Sequence, residues 1–293
     1  MADLIVQEVI NGISIGSIYV MIAVGLTLIF GILDVTNFAH GEFYMLGAYA
    51  AYLVVIHFGV PYAVGILVSL LVGAALGLAV ERTVFRPIQF TPPINGIIAS
   101  LGLSILLANV ALVVLSPTPV ALEPAFTGSF SLAGFVVSKQ ELLVLTLALA
   151  LVFALTLFVD RTWTGLGMRA MTQDVVAARL VGISPTRISQ VTFLIGGALA
   201  AVAGGLVAPI FVLQPSMGLP ITIKAFAVVI FAGVGSVRGT IIAGLILGIA
   251  ESLTAGFVGV GYEDLISFGV IILVLLVRPR GIWGTKGFLG RAA

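Results

Sequence analysis

The sequence predicts an all-α polytopic integral membrane protein with eight or nine transmembrane helices, forming a single domain over residues 1–293. Three observations predict it. Only 9% of the residues are charged, against about 25% in a soluble domain. Hydrophobic residues make up 60% of the chain, and mean hydropathy is +1.27. Residues 9–33, 43–80, 87–122 and 188–223 contain no Asp, Glu, Lys or Arg, and a spanning helix needs about 20 apolar residues. Strands of a membrane β-barrel would alternate apolar and polar over roughly 10 residues, whereas these runs are apolar throughout.

The spans read as 9–33, 40–57, 62–82, 94–115, 140–160, 189–211, 223–236, 239–256 and 263–278. Turn chemistry separates them. Gly59 and Pro61 divide the second from the third. Three prolines in "FRPIQFTPPING" precede the fourth, and three more in "SPTPVALEP" follow it. The seventh is the shortest, so an eight-span count would drop it. The residues Met1 to Gln7 lack Lys and Arg, unlike the start of a signal peptide, so the first span is expected to be retained.

Basic residues collect in cytoplasmic loops. Alternating the spans puts Arg82, Arg86, Arg161, Arg169, Arg179, Arg187, Arg238, Arg278, Arg280, Lys286 and Arg291 on one side. Only Lys139 and Lys224 fall on the other. The expected topology has a cytoplasmic C-terminus and an external N-terminus. The external loop 116–139 contains "FTGSFSLAGFVVS", a candidate hairpin.

Net charge is +1, which suggests no nucleic-acid partner. The absence of cysteine excludes disulfides and thiolate chemistry. No G-x-x-x-x-G-K-[ST] motif occurs, so the chain cannot cradle ATP in the P-loop manner. Few carboxylates or histidines lie within the spans, where an ion-coupled carrier would carry them. Energy is therefore expected from ATP hydrolysed elsewhere. A catalytic constellation is absent, and the chain does not read as an enzyme.

The cytoplasmic loop 161–188 carries one short helix in this reading. Asp174 lies in its N-cap, Ala177, Ala178 and Arg179 lie within it, and Gly182 closes it. Too short to span, it fits a docking element for a partner or an interfacial helix held by arginines.

Val176-Ala177-Ala178-x-x-x-Gly182 resembles the Glu-Ala-Ala-x-x-x-Gly loop of ABC-importer permeases, with Val in place of Glu. "GLGMRAMTQDVVAARLVGI", "GLTLIFGILDVTNFAHGEFYMLGAY" and "VVIFAGVGSVRGTIIAGLILGIAESL" resemble the LivH-type permease subunits of branched-chain amino-acid ABC importers. The resemblance covers nearly the whole chain. It implies a translocation subunit in the bacterial inner membrane. It also implies a homologous second permease, two cytoplasmic ATPases that bind the ATP, and a periplasmic solute-binding protein. The loop helix would be the coupling helix. Urea or short amides are the alternative substrates, and an ion-coupled carrier is the alternative mechanism.

Candidate path residues follow from polarity. Asp34, Asn37, His40 and Glu42 fall within nine positions between apolar runs, at the cytoplasmic end of the first hairpin by the expected topology. His40 and Glu42 are two apart and do not share a helix face. His57 is the only other histidine, so a metal site is not expected. These groups either cap a helix break or take part in gating. Glu251 is the carboxylate well inside a span; it reads as a pathway or subunit contact, or as a structural hydrogen-bond partner. Gly235 and Ser236 lie in the break 233–239, which offers either backbone groups to a substrate or tight packing.

Overall fold

A computed structural model describes residues 2–89, 91–115, 117–132, 135–278 and 281–283. The expected charges Arg280, Lys286 and Arg291 lie outside the described residues, as do Ser116 and the hairpin tip 133–134. Among the described residues, eight helices are long and apolar enough to cross a membrane, and a ninth apolar helix is shorter.

The first, α1 (Ala2–Leu33), begins earlier than the expected span. It is followed by α2 (His40–Phe58) and α3 (Tyr62–Val80). The latter runs through a π-helical turn, Glu81–Phe85, into the short α4 (Arg86–Ile88). Next come α5 (Pro93–Leu115) and a hairpin of β1 (Ser129–Leu132) and β2 (Phe135–Ser138), which are antiparallel with Ser129 opposite Ser138. This is the hairpin read from "FTGSFSLAGFVVS". Ser138 and Glu141 form a capping box that starts α6 (Lys139–Arg161).

Residues 161–188 were expected to hold one helix, and two form. They are α7 (Trp163–Gln173), which packs Met168 and Met171 into the core, and α8 (Val175–Leu180). Ser184 then caps α9 (Pro185–Val207), with Pro185 in its first turn, where a missing N–H costs nothing. The short helix is α10 (Gly218–Ala232), followed by α11 (Val237–Phe257) and α12 (Glu263–Val277).

The two most buried spans, α1 and α9, each pair antiparallel with a more peripheral helix. Along α1 and α11, Gly16 lies against Leu245, Thr27 Oγ1 is 2.9 Å from Thr240 Oγ1, and Gly31 lies against Gly235. Along α3 and α9, Gly73 faces Gly197, Gly77 faces Phe193 and Ser69 faces Gly205. Small residues let the backbones touch, which is how helices gain dispersion energy where lipid is as apolar as protein. Helices α5 and α12 lie outside, with most of their residues exposed.

Arg86, Arg169, Arg179 and Arg238 share one end of the bundle. Phe85, beside Arg86, stacks on Phe193 at 4.9 Å, and Arg238 Nη2 lies 3.8 Å from Asp160. The hairpin marks the opposite end, where Gln7 donates to the Val136 carbonyl at 2.9 Å.

Tight packing at Gly16 has a measurable consequence. A Cβ there would lie 2.9 Å from Gly244 O and from Leu245 Cα. Gly16→Leu is expected to cost about 1–3 kcal/mol or more by overpacking and to lower the melting temperature in detergent by several degrees. Gly102→Leu, where a Cβ meets nothing within 4 Å, is expected to leave it unchanged.

Candidate functional site

The polar stretch after α1 does not stay at the membrane edge. Asp34 ends α1 with φ 55°, a left-handed residue in the place usually taken by glycine. The chain then turns back along α1 in a non-helical segment. Asn37 Oδ1 accepts from Ala39 N at 3.1 Å, an Asx-type turn that stands in for helical bonding. His40 Nε2 sits 3.2 Å from the Ile22 carbonyl. Ile22 lies eleven residues before Leu33, about 16 Å down the helix at 1.5 Å per residue. That is mid-depth in a core about 30 Å thick. So α2 begins inside the membrane, and the expected position of Asn37, His40 and Glu42 at the end of the hairpin is corrected. All three are buried.

A second chain segment approaches from the opposite end. After α9, residues 208–217 form an irregular loop pinned by Leu213, whose N–H donates to the Val120 carbonyl at 2.8 Å. This loop leads to the start of α10. At 15 residues, α10 is about 22 Å long, short of a full crossing. The starts of α10 and α2 meet. Gly41 N donates to Thr222 Oγ1 at 2.9 Å, and Thr222 donates in turn to Gly218 O at 2.9 Å. Gly218, the first residue of α10, lies directly against the Glu42 carboxylate, where a Cβ would fall 2.5 Å from Cδ.

Glu42 is poorly satisfied there. Ser104 of α5 donates to Oε1 at 2.9 Å. Among the described residues, Asn37 Nδ2, His40 Nδ1 and Glu42 Oε2 are three of the five buried side-chain polar atoms without a hydrogen-bond partner. Native interiors keep few such atoms, and here three fall within six residues. Among the described residues, no cluster of acidic residues and histidines could hold a metal ion.

Glu251 is the opposite case. Tyr19 OH donates to Oε2 at 2.6 Å, Lys224 Nζ lies 3.0 Å from the same oxygen, and Ser267 donates to Oε1. Lys224 also reaches Asp264 at 3.1 Å. Lys224 is thus a buried bridge among α10, α11 and α12, within α10 and not at the outer start of the expected span 223–236. The geometry favours the structural-partner reading of Glu251.

Gly235 and Ser236 form the turn from α10 to α11. Gly235 (φ 82°) packs against Gly31, and Ser236 Oγ caps α11 by accepting from Gly239 N at 3.1 Å. Both lie at the arginine-bearing end, away from the junction of α2 and α10.

In the loop, Asp174 Oδ1 accepts from Val176 N at 2.7 Å and Ala177 N at 3.0 Å, so it caps α8 as the spacing indicated. Gly182 (φ 86°) closes it. Ala178 is 3% exposed and faces the bundle, while Arg179 is exposed. Val176, Leu180 and Val181 are 68%, 85% and 76% exposed. Under α8 lies a cavity of about 220 Å³, lined by Val175 and Arg179 on one side and by Leu33, Val35 and Phe85 on the other. It separates the exposed helix from the segment that leads to Glu42.

The family described as branched-chain amino acid transport system / permease component matches residues 9–275. The chain belongs to this family. Among curated permeases, it is 36% identical to the BraD permease protein of a high-affinity branched-chain amino acid transport system from Pseudomonas aeruginosa, over 95% of both chains. It is 35% identical to the LivH permease protein of Escherichia coli, over 95% of both. LivM, a further permease protein of such a system from Salmonella typhimurium, is 28% identical over 90% of this chain and 67% of LivM. Among solved structures, PsaBC from Streptococcus pneumoniae in complex with Fab shares the fold at TM-score 0.51 and 10% identity, covering 97% of this chain and 94% of that one.

Sequence reasoning missed Gly218, Thr222 and Ser104 of this permease. One signal was available. The charge-free run 188–223 exceeds one span and carries Pro209, Pro215 and Pro220, residues that interrupt a helix.

Breaking the Lys224–Glu251 pair in this permease is expected to be costly, because the remaining charge stays buried. Lys224→Met should lower stability by about 3–5 kcal/mol. The double variant Lys224→Met/Glu251→Gln should recover at least half of the loss in melting temperature.

Proposed function

We propose that this permease is a translocation subunit of an ATP-driven importer for branched-chain amino acids. Its partners would be a homologous permease, two cytoplasmic ATPases and an external solute-binding protein. The observation that carries the reading is the match along the whole chain. The meeting of two helix starts at mid-depth supports it, because transporters place substrate sites where interrupted helices expose polar ends.

In this reading the arginine-bearing end faces the cytoplasm of a bacterial inner membrane, by the bias of short loops. The N-terminus and the β1–β2 hairpin then lie outside, where the binding protein delivers substrate. The ATPases dock on the exposed apolar face of α8 (Val176, Leu180 and Val181), with Asp174, Ala177 and Arg179 at its edge. Gly182 and the inward Ala178 fix the helix to the bundle. ATP-driven closure pulls α8 toward or away from the cavity beneath it. That motion reaches Leu33 and Val35, and through them the segment carrying Asn37, His40 and Glu42. ATP binds the partner subunits, and this chain needs no cofactor.

Reconstitution tests the reading. The complete complex in proteoliposomes should accumulate leucine, isoleucine or valine only with ATP and loaded binding protein. Uptake that survives ATP depletion and stops with an uncoupler would exclude it. Uptake of urea or short amides alone would reassign the substrate.

Docking has its own test. Leu180→Asp places a charge on an exposed position, so membrane insertion should be normal while ATPase co-purification falls at least tenfold. A charge at Ala178 should instead lower the stability of the permease itself, read as its melting temperature.

A further inference from the structure

We propose that Glu42 and the first turn of α10 together form a subsite for a zwitterionic α-amino acid. The ammonium group pairs with Glu42, and the carboxylate takes the backbone N–H groups of α10. The proposal rests on the importer reading and deepens it.

A carboxylate buried at mid-depth needs compensation for lost hydration. No ion pair among the described residues involves Glu42. Lys224 is held by Glu251 and Asp264. What faces Glu42 instead is one hydroxyl, Ser104, and two helix starts. Glu42 lies in the first turn of α2, and Gly218 opens α10 against it. Each helix start carries about half a positive charge. First-turn N–H groups have no acceptor within their own helix, and, since Pro220 has none, those of Gly218 and Leu219 are left at this end of α10.

Glu42 Oε2 is buried and without a partner. It therefore keeps acceptor capacity that the fold does not use. An ammonium group supplies a full charge and three donors, which the α10 start cannot match. The two surfaces are closed on each other here, and glycine at position 218 is what permits this contact. The clasp across them is one hydrogen bond, Gly41 N to Thr222 Oγ1, with Phe38 resting on Phe226 at 4.9 Å. An α-amino acid entering between them replaces the contact of carboxylate with helix end by two stronger ones. The ammonium satisfies Glu42, and the substrate carboxylate satisfies the α10 N–H groups left behind. Substrate entry and withdrawal of α10 become one event. An uncharged amide such as urea has neither end and fits poorly.

The test uses the whole transporter in proteoliposomes and dicyclohexylcarbodiimide, which modifies carboxyl groups in apolar surroundings. Modification of Glu42 is read by peptide mass spectrometry. Labelling is expected during ATP turnover. Millimolar leucine should slow it at least threefold, and 4-methylpentanoate, which lacks the amino group, should not. Absence of labelling, labelling indifferent to leucine, or equal protection by 4-methylpentanoate would each overturn the proposal. Glu42→Gln should reduce leucine uptake at least tenfold in complexes that still assemble, with partial recovery in Glu42→Asp. Wild-type uptake by Glu42→Gln would also overturn it. If Glu42→Gln does not assemble, the labelling of the unmodified complex decides. Failure of the unmodified complex to take up leucine with ATP would count against the importer reading instead.

Discussion

Everything in this structure depends on α1 holding an interrupted chain inside the membrane. Irregular backbone at mid-depth survives only where protein surrounds it, because lipid offers no hydrogen bonds. Here α1 supplies the surrounding wall. Its Ile22 carbonyl meets His40, and Gly25 lies close to both His40 and Gly196 of α9. Small residues in α9 let further backbones approach: Gly196 meets Gly25 of α1, and Ala201 and Gly204 meet Gly47 and Tyr44 of α2. Without these close approaches, residues 34–39 would expose backbone groups to hydrocarbon, and α2 could not begin where it does.

Two of the buried carboxylates, Glu42 and Glu251, show how environment divides roles. Glu251 has both oxygens occupied by Tyr19, Lys224 and Ser267. Such a fully satisfied network rigidifies the elements that it joins, and it anchors α10 to α11 and α12. Glu42 has one oxygen held by Ser104 and the other open. The same helix α10 thus carries a fixed anchor at Lys224 and, two residues earlier, Thr222 of the weaker clasp. In the proposed importer that asymmetry defines a hinge. The start of α10 can leave Glu42 while its body stays tied to the bundle.

The arginine-bearing end has a matching division. Ala178, Met168 and Met171 pack inward, while Val176, Leu180 and Val181 are exposed among the described residues. In the proposed importer the ATPases cover this apolar face of a six-residue helix. The cavity beneath α8 leaves room for that helix to shift against the end of α1.

The sequence by itself determined the architecture and the family. Long charge-free runs, proline-rich breaks and the distribution of arginine are local properties, so most helices fell within a few residues of their expected positions, with the early starts of α1 and α10 as the exceptions. The Asp174 cap and the Gly182 stop were legible for the same reason, because capping is a contact between near neighbours. Depth was not legible. "GILDVTNFAHGEF" reads as an edge turn because polar groups favour the interface, and nothing local reports that α1 and α9 offer a lining of glycine and alanine to receive it. Nor does spacing reveal that Gly218, 176 positions after Glu42, closes on its carboxylate, or that Lys224 reaches Glu251. Those pairings join residues far apart in the chain, and only the packing of α1, α2, α9 and α10 around one another decided which polar groups are satisfied and which is left open.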